Sequence, residues 1–300
     1  MISVCVPIYN YDVRPLIGEL ASQASALQDT EVELVAIDDG SDPQHKAINK
    51  GIERLCRLVT LDRNVGRSRV RNLFLEHTRG DYLLFLDNDM VIGPGFLARY
   101  AATLPAHPDV VVGGIAYDKR GNNDAHRLRY LYGTTVESRP ADERRKRPYA
   151  SFMTGNFMIR RVVMEKIRFD ESLSGYGHED TLFGYELQRA AVAITHIDNP
   201  AVNGQVEPNA EFLAKTHAAV RNLAVLYRRL HDDEAFCRSV RLLDAYRRLV
   251  RWHATWAVRL AWLLLRWPME SHFCAGNAIN IRQFSFYKLG LLCDVLKSER

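Results

Sequence analysis

A short apolar run that ends abruptly in acidic residues constrains the fold of this chain most strongly. Leu83–Leu86 reads LLFL, and Asp87, Asn88 and Asp89 follow it directly. Consecutive apolar residues between polar ones are typical of a strand that is buried on both faces of a parallel sheet. Two carboxylates at the end of such a strand are costly unless a cation meets them. The stretch therefore predicts a parallel sheet with a polar site at the carboxyl end of this strand.

The acidic residues themselves indicate what this site binds. Asp87 and Asp89 are two residues apart, so on an extended backbone their side chains point the same way and can share one ion. Carboxylate oxygens suit Mg²⁺ or Mn²⁺, and these ions usually keep coordination positions for substrate phosphates. The alternative is a turn in which the Asp side chains cap the next segment. The stretch favours a metal–diphosphate site with Asp87 and Asp89 as ligands, and the capped turn is retained as the alternative interpretation.

The elements around this strand alternate between strand and helix patterns. Strand patterns cover residues 2–8, 33–37, 58–61, 81–86, 110–115 and 193–197, and helix patterns cover 13–26, 44–55, a stretch from about 67, 96–104 and 181–191. This alternation predicts an α/β fold with a mostly parallel sheet flanked by helices. From residue 211 onward the pattern is mainly helical, over 211–230, 233–249 and about 251–267. The sequence therefore predicts a C-terminal helical region after the sheet.

Three further loops carry polar residues of interest. The second strand runs into 38–42, DDGSD. One interpretation is a capped turn into the next helix, with Ser41 or Asp42 as the cap, but a second acidic loop at a strand end also favours a functional site. Gly66 and Arg71 lie in NVGRSRVRN, where a helix start and an Arg would favour a phosphate, although Arg on a helix is also typical of a solvated face.

Residues 117–148 are polar and contain ERRKR, which predicts an irregular, solvated basic loop; the alternative is a lid over an anionic ligand.

The stretch Gly175–Asp180, GYGHED, places two carboxylates behind a loop with two glycines and an aromatic residue. Glu179 and Asp180 directly precede a helix pattern, where acidic residues often only complement the helix dipole. In a chain with a predicted metal–diphosphate site, one of them is also a candidate general base. The stretch at Asp87–Asp89 and the stretch at Gly175–Asp180 together favour an enzyme active site.

Composition limits the remaining functions. The chain is 47% hydrophobic and 25% charged, as in soluble globular proteins, and its net charge of +4 does not indicate nucleic acid. Five scattered cysteines without a CxxC pair indicate neither a zinc site nor a disulfide framework, which fits a reducing compartment. A strand that begins at Ile2 leaves no room for a signal peptide, and no apolar stretch reaches about 18 residues, so no membrane span is expected.

Five motifs in order resemble glycosyltransferase family 2. They are VPIYN at 6–10, IDDGS at 37–41, NVGRSRVRN at 64–72, GDYLLFLDND at 80–89 and GYGHED at 175–180. The resemblance covers about residues 1–205 and implies the GT-A fold, with a Rossmann-like, mostly parallel sheet. It implies a catalytic domain over 1–205, whose nucleotide-sugar part is about 1–115 and whose acceptor side is about 116–205. Residues 206–300 would form the C-terminal helical region.

The resemblance also implies roles for single residues. Pro7 and Tyr9 would border the nucleobase and ribose, and Asp39 would bind the base, typically uracil. Gly66 and Arg71 would line the nucleotide pocket.

Two motifs would carry the chemistry. Asp87, Asn88 and Asp89 resemble the DxD motif, which holds the ribose and the metal-bound diphosphate. Glu179 and Asp180 resemble the ED motif, with Asp180 as the base and Glu179 supporting the acceptor. Related sequences often carry a metal-binding His where this chain has Asn203, a weaker ligand for Mn²⁺.

These implications predict an inverting glycosyltransferase that uses Mn²⁺ or Mg²⁺ and a nucleotide-diphosphate sugar, with a UDP-sugar as the expected donor. The expected acceptor is a hydroxyl group of a glycan or lipid-linked molecule. Two alternative functions are retained. One is a nucleotidyltransferase, and the other is a non-catalytic scaffold that binds a nucleotide sugar or associates with a membrane. Four Trp among Arg residues at 252–267 predict either a peripheral contact with the inner face of the cell membrane or packing on the protein itself. The expected location is cytoplasmic, and the contact with the inner face of the membrane is one of these two alternatives.

Overall fold

The computed structural model describes residues 1–173 and 175–298 as an α/β protein, and its strands form two sheets. The strands are β1 Ile2–Ile8, β2 Val32–Asp38, β3 Arg57–Thr60, β4 Tyr82–Leu86, β5 Met90–Val91, β6 Val110–Val112, β7 Ile115–Tyr117, β8 Asn156–Arg160, β9 Ile194–His196 and β10 Ala201–Asn203. The helices of the first two hundred residues are α1 Arg14–Ala26, α2 Pro43–Asn49, α3 Arg67–His77, α4 Phe96–Ala101, α5 Arg127–Tyr132, α6 Ala141–Arg145, α7 Arg161–Lys166 and α8 Glu179–Arg189. The remaining helices are α9 Asn209–Leu230, α10 Glu234–Ser239, α11 Arg241–Arg251, α12 Thr255–Ala275 and α13 Ile281–Ser298.

The larger sheet has the strand order β3–β2–β1–β4–β8–β6–β9. Its first four strands are mutually parallel, β8 runs antiparallel to both β4 and β6, and β9 is parallel to β6. All five residues of β4 are buried, and Phe85 stacks on Phe157 with ring centroids 5.0 Å apart. The predicted α/β class and the buried central strand are therefore confirmed.

A smaller sheet forms beside the carboxyl end of β4. Its order is β5–β10–β7, with β10 antiparallel to β5 and parallel to β7. The register pairs Asn203 of β10 with Met90 of β5. This pairing brings the end of β10 to the acidic residues that follow β4.

The structure corrects the prediction for residues 110–115. One strand was expected, but β6 and β7 are separate because Gly113 and Gly114 lie between them. Gly114 has φ +93°, a backbone conformation that lies outside strand geometry and is readily adopted only by glycine. The chain therefore leaves the larger sheet here and joins the smaller one.

The prediction of an irregular, solvated loop at 117–148 was wrong. The segment contains α5 and α6, and Arg144 of its basic run is only 3% exposed. The Arg144 guanidinium donates to the carbonyl oxygens of Val112, Gly113 and Ile197 over 2.7–3.1 Å. A guanidinium with this many carbonyl partners can be buried, and the polar composition alone does not reveal that.

The helical region after residue 206 differs in detail from its prediction. The helix expected over 233–249 is two helices, α10 and α11, and α13 was not predicted. The last two residues of the predicted 206–300 region lie outside the described part of the chain. Across the described residues, no helix has both the length and the apolar character needed to cross a membrane.

The chain divides into two compact units. The first unit consists of 1–117, 137–172 and 182–205 and contains both sheets. The second unit joins 118–136 and 173–181 to the chain from Val206 onward. Its core includes the aromatic rings of Phe273, Phe284 and Tyr287, with centroids 5.3–6.4 Å apart.

Candidate functional site

Asp39 closes the end of β2 in the first unit. Its N–H donates to the carbonyl oxygen of Ile8 over 2.8 Å, and its carboxylate accepts the N–H groups of Val65 over 2.6 Å and Gly66 over 3.1 Å. Burial raises the pKa of the Asp39 carboxyl, and the two backbone N–H groups oppose this shift. Asp39 therefore joins β2 to the loop before α3, and its oxygens can accept further hydrogen bonds.

The loops after β1 and β2 hold each other in place. Asn10 donates its N–H to Ser41 Oγ, and Asp42 donates its N–H to Asn10 Oδ1, both over 2.9 Å. Asp42, rather than Ser41, caps α2 by accepting the N–H of His45. Pro7 lies within β1, and Tyr9, the first residue after β1, is 50% exposed. The half-exposed phenol ring is available to stack against a ligand.

Arg71 and Asp87 form an ion pair at the carboxyl end of β4. Arg71 Nη2 donates to Asp87 Oδ1 over 2.8 Å, and the Arg71 side chain is only 2% exposed. The guanidinium lies 5.6 Å from the centre of the Phe169 ring. Arg71 therefore does not belong to a solvated helix face, and its fixed guanidinium orients the Asp87 carboxylate.

Asp87 also starts a tight turn. Met90 donates its N–H to the Asp87 carbonyl over 3.2 Å, and Asn88 lies partly exposed within the turn. The backbone therefore forms a turn here while the Asp87 side chain pairs with Arg71, and the metal–diphosphate role of this stretch stays a prediction.

Asp89 faces Asn203, which the sequence marked only as a departure from related chains. Asn203 Nδ2 donates to Asp89 Oδ2 over 3.1 Å, and the N–H of Gly204 donates to the Asp89 carbonyl over 2.9 Å. Asn203 is 5% exposed, and its Oδ1 atom is buried without a hydrogen-bond partner. Burial, and secondarily the charge of Asp89, raises the pKa of the Tyr11 hydroxyl. The Asn203 amide thus presents its N–H to the Asp89 carboxylate and keeps a buried oxygen without a hydrogen-bond partner.

These oxygens fit a divalent cation that a substrate helps to coordinate. Within residues 1–173 and 175–298, no group of three or more His, Cys, Asp and Glu side chains is placed to hold a metal ion. Mg²⁺ commonly binds through one or two carboxylates together with substrate phosphates, so a full protein cage is not required. The unsatisfied Oδ1 atom belongs to the same Asn203 side chain that donates to Asp89, and it is an oxygen of the type that Mg²⁺ and Mn²⁺ accept.

Glu179 and Asp180 begin α8, and both belong to the second unit. Asp180 Oδ1 accepts the N–H of Thr181 over 2.6 Å, and His178 Nδ1 lies 3.1 Å from Thr181 Oγ1. Burial, with Lys288 as a secondary cause, lowers the pKa of His178 to about 4. The helix begins two residues earlier than predicted, and its first turn includes both carboxylates.

Helix α9 holds the loop before these carboxylates. Asn222 Nδ2 donates to the carbonyl oxygens of Tyr176 over 3.2 Å and Gly177 over 3.1 Å. Gly177 has φ +96°, and a Cβ atom added to it would lie 2.6 Å from the Cβ atom of Ala219. Sequence reasoning missed Ala219 and Asn222, because a helical pattern shows which face is apolar but not which loop lies against it.

The predicted site residues therefore fall into two groups. The first unit contains Pro7, Tyr9, Asp39, Gly66, Arg71, Asp87, Asn88 and Asp89, and the second contains Glu179 and Asp180. Direct contacts join Asp39 to Gly66 and Arg71 to Asp87. The contacts hold the side chains in place, and their roles stay predictions.

Comparison with protein families and curated proteins identifies similar chains. The model described as "Glycosyl transferase family 2" matches residues 3–168. Validoxylamine A glucosyltransferase of Streptomyces hygroscopicus subsp. jinggangensis is 27% identical over 232 residues, which cover 65% of this chain and 53% of that protein. The chain spans 25% to 53% of the length of the first curated relatives it matches.

Two solved structures share the fold at low sequence identity. A mannosyltransferase from Pyrobaculum calidifontis in complex with GDP-Man and Mn²⁺ has a TM-score of 0.59 and 17% identity, over 99% of this chain and 86% of that chain. Glucosyl-3-phosphoglycerate synthase from Mycobacterium tuberculosis, in complex with Mn²⁺, UDP and glucosyl-3-phosphoglycerate, has a TM-score of 0.51 and 21% identity, over 76% and 79%. Both are similar to this chain in fold.

Proposed function

Because the chain belongs to glycosyl transferase family 2, we propose that it is an inverting, metal-dependent glycosyltransferase that uses a UDP-sugar. The expected acceptor is a hydroxyl group of a glycan or of a lipid-linked molecule. Family membership favours glycosyl transfer over the nucleotidyltransferase and the non-catalytic scaffold. One observation carries the proposal: two carboxylates follow buried β4, one paired with Arg71 and one accepting the side-chain N–H of Asn203, whose own oxygen is buried without a hydrogen-bond partner.

The nucleotide is proposed to bind at the loops that follow β1 and β2. The Asp39 carboxylate would accept an N–H of the base, typically uracil, while two backbone N–H groups keep it in place. The exposed ring of Tyr9 would stack on the base, with Pro7 beside the ribose. Gly66, at the start of α3, would allow the sugar donor to approach the backbone closely.

The diphosphate is proposed to bind at Asp87, Asn88 and Asp89. Asp87 and Asp89 would hold Mn²⁺ or Mg²⁺, and Asn203 Oδ1 would contribute an oxygen. When bound, the ion would neutralise the charge of the departing diphosphate. Arg71 would keep the Asp87 carboxylate in a fixed orientation during this step. The complexes of the two structural neighbours with Mn²⁺ and a nucleotide or nucleotide sugar support this proposal.

Asp180 is the proposed general base. It would take the proton from the acceptor hydroxyl as the oxygen forms a bond to the anomeric carbon and the bond from that carbon to the diphosphate breaks. A single displacement of this kind inverts the configuration at the anomeric carbon. Glu179 would support the acceptor. A general base typically contributes about 10²–10⁴-fold, so charge stabilisation and positioning supply the rest.

Binding of the sugar donor with and without metal tests this proposal. We expect the protein to bind UDP more tightly with Mn²⁺ than with a chelator, and Asp89→Ala to remove that difference. Asp29→Ala, at an exposed Asp in the loop after α1, is the matched control and should keep it. Titration calorimetry with UDP, GDP and their sugars identifies the nucleotide in the same experiment. A folded Asp89→Ala protein with unchanged metal-dependent UDP affinity would contradict the metal assignment.

The proposed location is the cytoplasm. All five cysteines lie in the described part of the chain and are free. Free thiols fit a reducing compartment, where a disulfide framework is not used.

A further inference from the structure

One helix of the second unit exposes a concentration of large apolar side chains. Half of the exposed large apolar residues in the described part of the chain lie between Trp252 and Trp267. They are Trp252, Trp256, Leu260, Leu264, Leu265 and Trp267, with exposed fractions of 47% to 72%. We call these six residues the exposed tryptophan face. Single exposed apolar residues are ordinary, but a contiguous group of this size marks an interaction surface.

Five residues of the face lie on α12, and Trp252 directly follows α11. Trp256, Leu260, Leu264 and Trp267 are spaced by four, four and three residues, which places them along one side of the helix. Trp262, on the other side, is 2% exposed, and its ring centroid is 6.0 Å from that of Tyr287. Packing within the unit therefore explains one side of α12 and leaves the other side open to solvent.

Positive charge accompanies the face. The segment 241–267 contains six Arg and a single acidic residue, Asp244, whereas the whole chain has a net charge of +4. Arg251 is exposed next to Trp252. The Arg266 guanidinium lies 5.6 Å from the Trp262 ring centre and 5.3 Å from the Trp267 ring centre. A partner for this surface must therefore combine apolar area with negative charge.

We propose that the exposed tryptophan face binds the surface of an anionic lipid bilayer. Interfacial helices bury their apolar side about 5–10 Å deep at the boundary between headgroups and acyl chains. Trp side chains favour headgroup depth, and Arg side chains extend from that depth toward lipid phosphates. An anionic bilayer thus supplies both properties that the face requires. The contact stays at the surface, since Arg259 and Arg266 interrupt the apolar stretch of α12.

The tryptophans offer a direct measurement, because all four Trp residues of the chain lie in this segment. We expect vesicles of phosphatidylcholine with phosphatidylglycerol to shift the intrinsic Trp emission of the full chain to the blue and to carry the protein upward in flotation at low salt. The combined variant Trp256→Gln, Leu260→Gln, Leu264→Gln should lower the partition coefficient by about tenfold or more.

Two sets of variants distinguish the contribution of the exposed tryptophan face to vesicle binding from nonspecific effects of substitution. Leu55→Gln, Val162→Gln, Val225→Gln changes three comparably exposed apolar residues elsewhere and should partition within about twofold of the unchanged chain. Arg251→Gln with Arg266→Gln should lower binding to anionic vesicles by about tenfold and leave the weak binding to neutral vesicles unchanged. Circular dichroism establishes that each variant is folded.

Three results would overturn the proposal. The first is full-length protein that stays at the bottom of the gradient with anionic vesicles at low salt. The second is a folded Trp256, Leu260 and Leu264 variant that floats like the unchanged chain. The third is self-association in sedimentation velocity that this variant abolishes while vesicle binding is unaffected, which would assign the face to a second copy of the chain.

Discussion

At the scale of single residues, the acidic side chains of the candidate site differ in what holds them. The Asp39 carboxylate accepts hydrogen bonds from two backbone N–H groups, and the Asp180 carboxylate accepts one from the N–H of the next residue. The Asp87 carboxylate pairs with the guanidinium of Arg71. The Asp89 carboxylate accepts the side-chain N–H of Asn203. An ion pair with a buried Arg restrains a carboxylate more strongly than a local backbone contact at a helix start. The proposed roles require Asp87 to stay in place and Asp180 to accept a proton.

The role of Asp180 can be separated from that of Glu179. We expect Asp180→Asn to lower kcat by about 10²–10⁴-fold, because the amide cannot accept the acceptor's proton. The Asn side-chain oxygen can still accept the N–H of Thr181, so the start of α8 is preserved. The Kd for the sugar donor should change by less than about threefold, since the base acts on the acceptor. Measurement of kcat and of donor Kd by calorimetry checks both effects.

The comparison with Glu179→Gln supplies the control for this assignment. Glu179 is 8% exposed and adjacent to Asp180, so both variants alter the charge of the same helix turn. Wild-type turnover in Asp180→Asn together with a large loss in Glu179→Gln would show that the other carboxylate is the base.

The sequence alone marks individual site residues but not their partners. Asp87 and Asp89 stand out because they end an apolar run, whereas Asn203 is separated from Asp89 by 114 positions in the chain. Their contact depends on β10 joining β5 in the smaller sheet, which no local pattern encodes. The contact between Arg71 and Asp87 also depends on tertiary packing, since it requires α3 to pack beside the end of β4.

At the scale of elements, local periodicity was sufficient for the strands of the parallel half of the sheet. Continuous apolar runs predict β1, β2 and β4, because these strands are buried on both faces. The antiparallel insertion of β8 between β4 and β6 was not predictable, since strand order is determined by packing between distant segments. Helices α5 and α6 were missed for a related reason: their stretch is polar, and its buried Arg144 is satisfied only by distant carbonyl groups.

Helix α9 is expected to position the catalytic loop of the second unit. Ala219→Leu places additional atoms against Gly177, so the loop before Glu179 and Asp180 must shift. We expect kcat to fall by about tenfold or more, because small displacements of catalytic groups are costly, while the Kd for the sugar donor is retained. Steady-state kinetics and donor titration measure the two effects separately.

Two further α9 variants show whether the effect is local. Ala219→Gly leaves the contact with Gly177 uncrowded and should retain most of the activity. Ala214→Leu adds the same side chain at an exposed position of the same helix and should leave kcat unchanged. Equal kcat in Ala219→Leu and Ala214→Leu would mean that α9 does not position the loop.

At the scale of the whole molecule, each compact unit contains a histidine that burial keeps neutral. Burial lowers the pKa of His196 in the first unit and of His178 in the second, in both cases to about 4. His196 is fully buried, and Arg144 Nη1 lies 2.8 Å from its Nδ1 atom. Since Arg can only donate, Nδ1 accepts, and the proton on Nε2 points to the Pro148 carbonyl at 3.0 Å. His196 is therefore structural, and protonation would place a second N–H against Arg144.

This arrangement makes the stability of the fold depend on pH. Between pH 6.5 and about 4 the unfolded chain binds a proton at His196 that the folded chain does not, so the free energy of unfolding falls as the pH is lowered through this range. For each such histidine the slope rises from about 0.7 kcal/mol per pH unit at pH 6.5 toward a limit of about 1.4 kcal/mol per pH unit at lower pH. Between pH 6.5 and 5.5 most carboxyl groups, with ordinary pKa values near 4, contribute little. We expect urea denaturation to show a positive slope in this window that His196→Gln reduces, whereas His231→Gln, at an exposed histidine, leaves it unchanged. A free energy of unfolding that is independent of pH from 6.5 to 5.5 would contradict the neutral, buried state of His196.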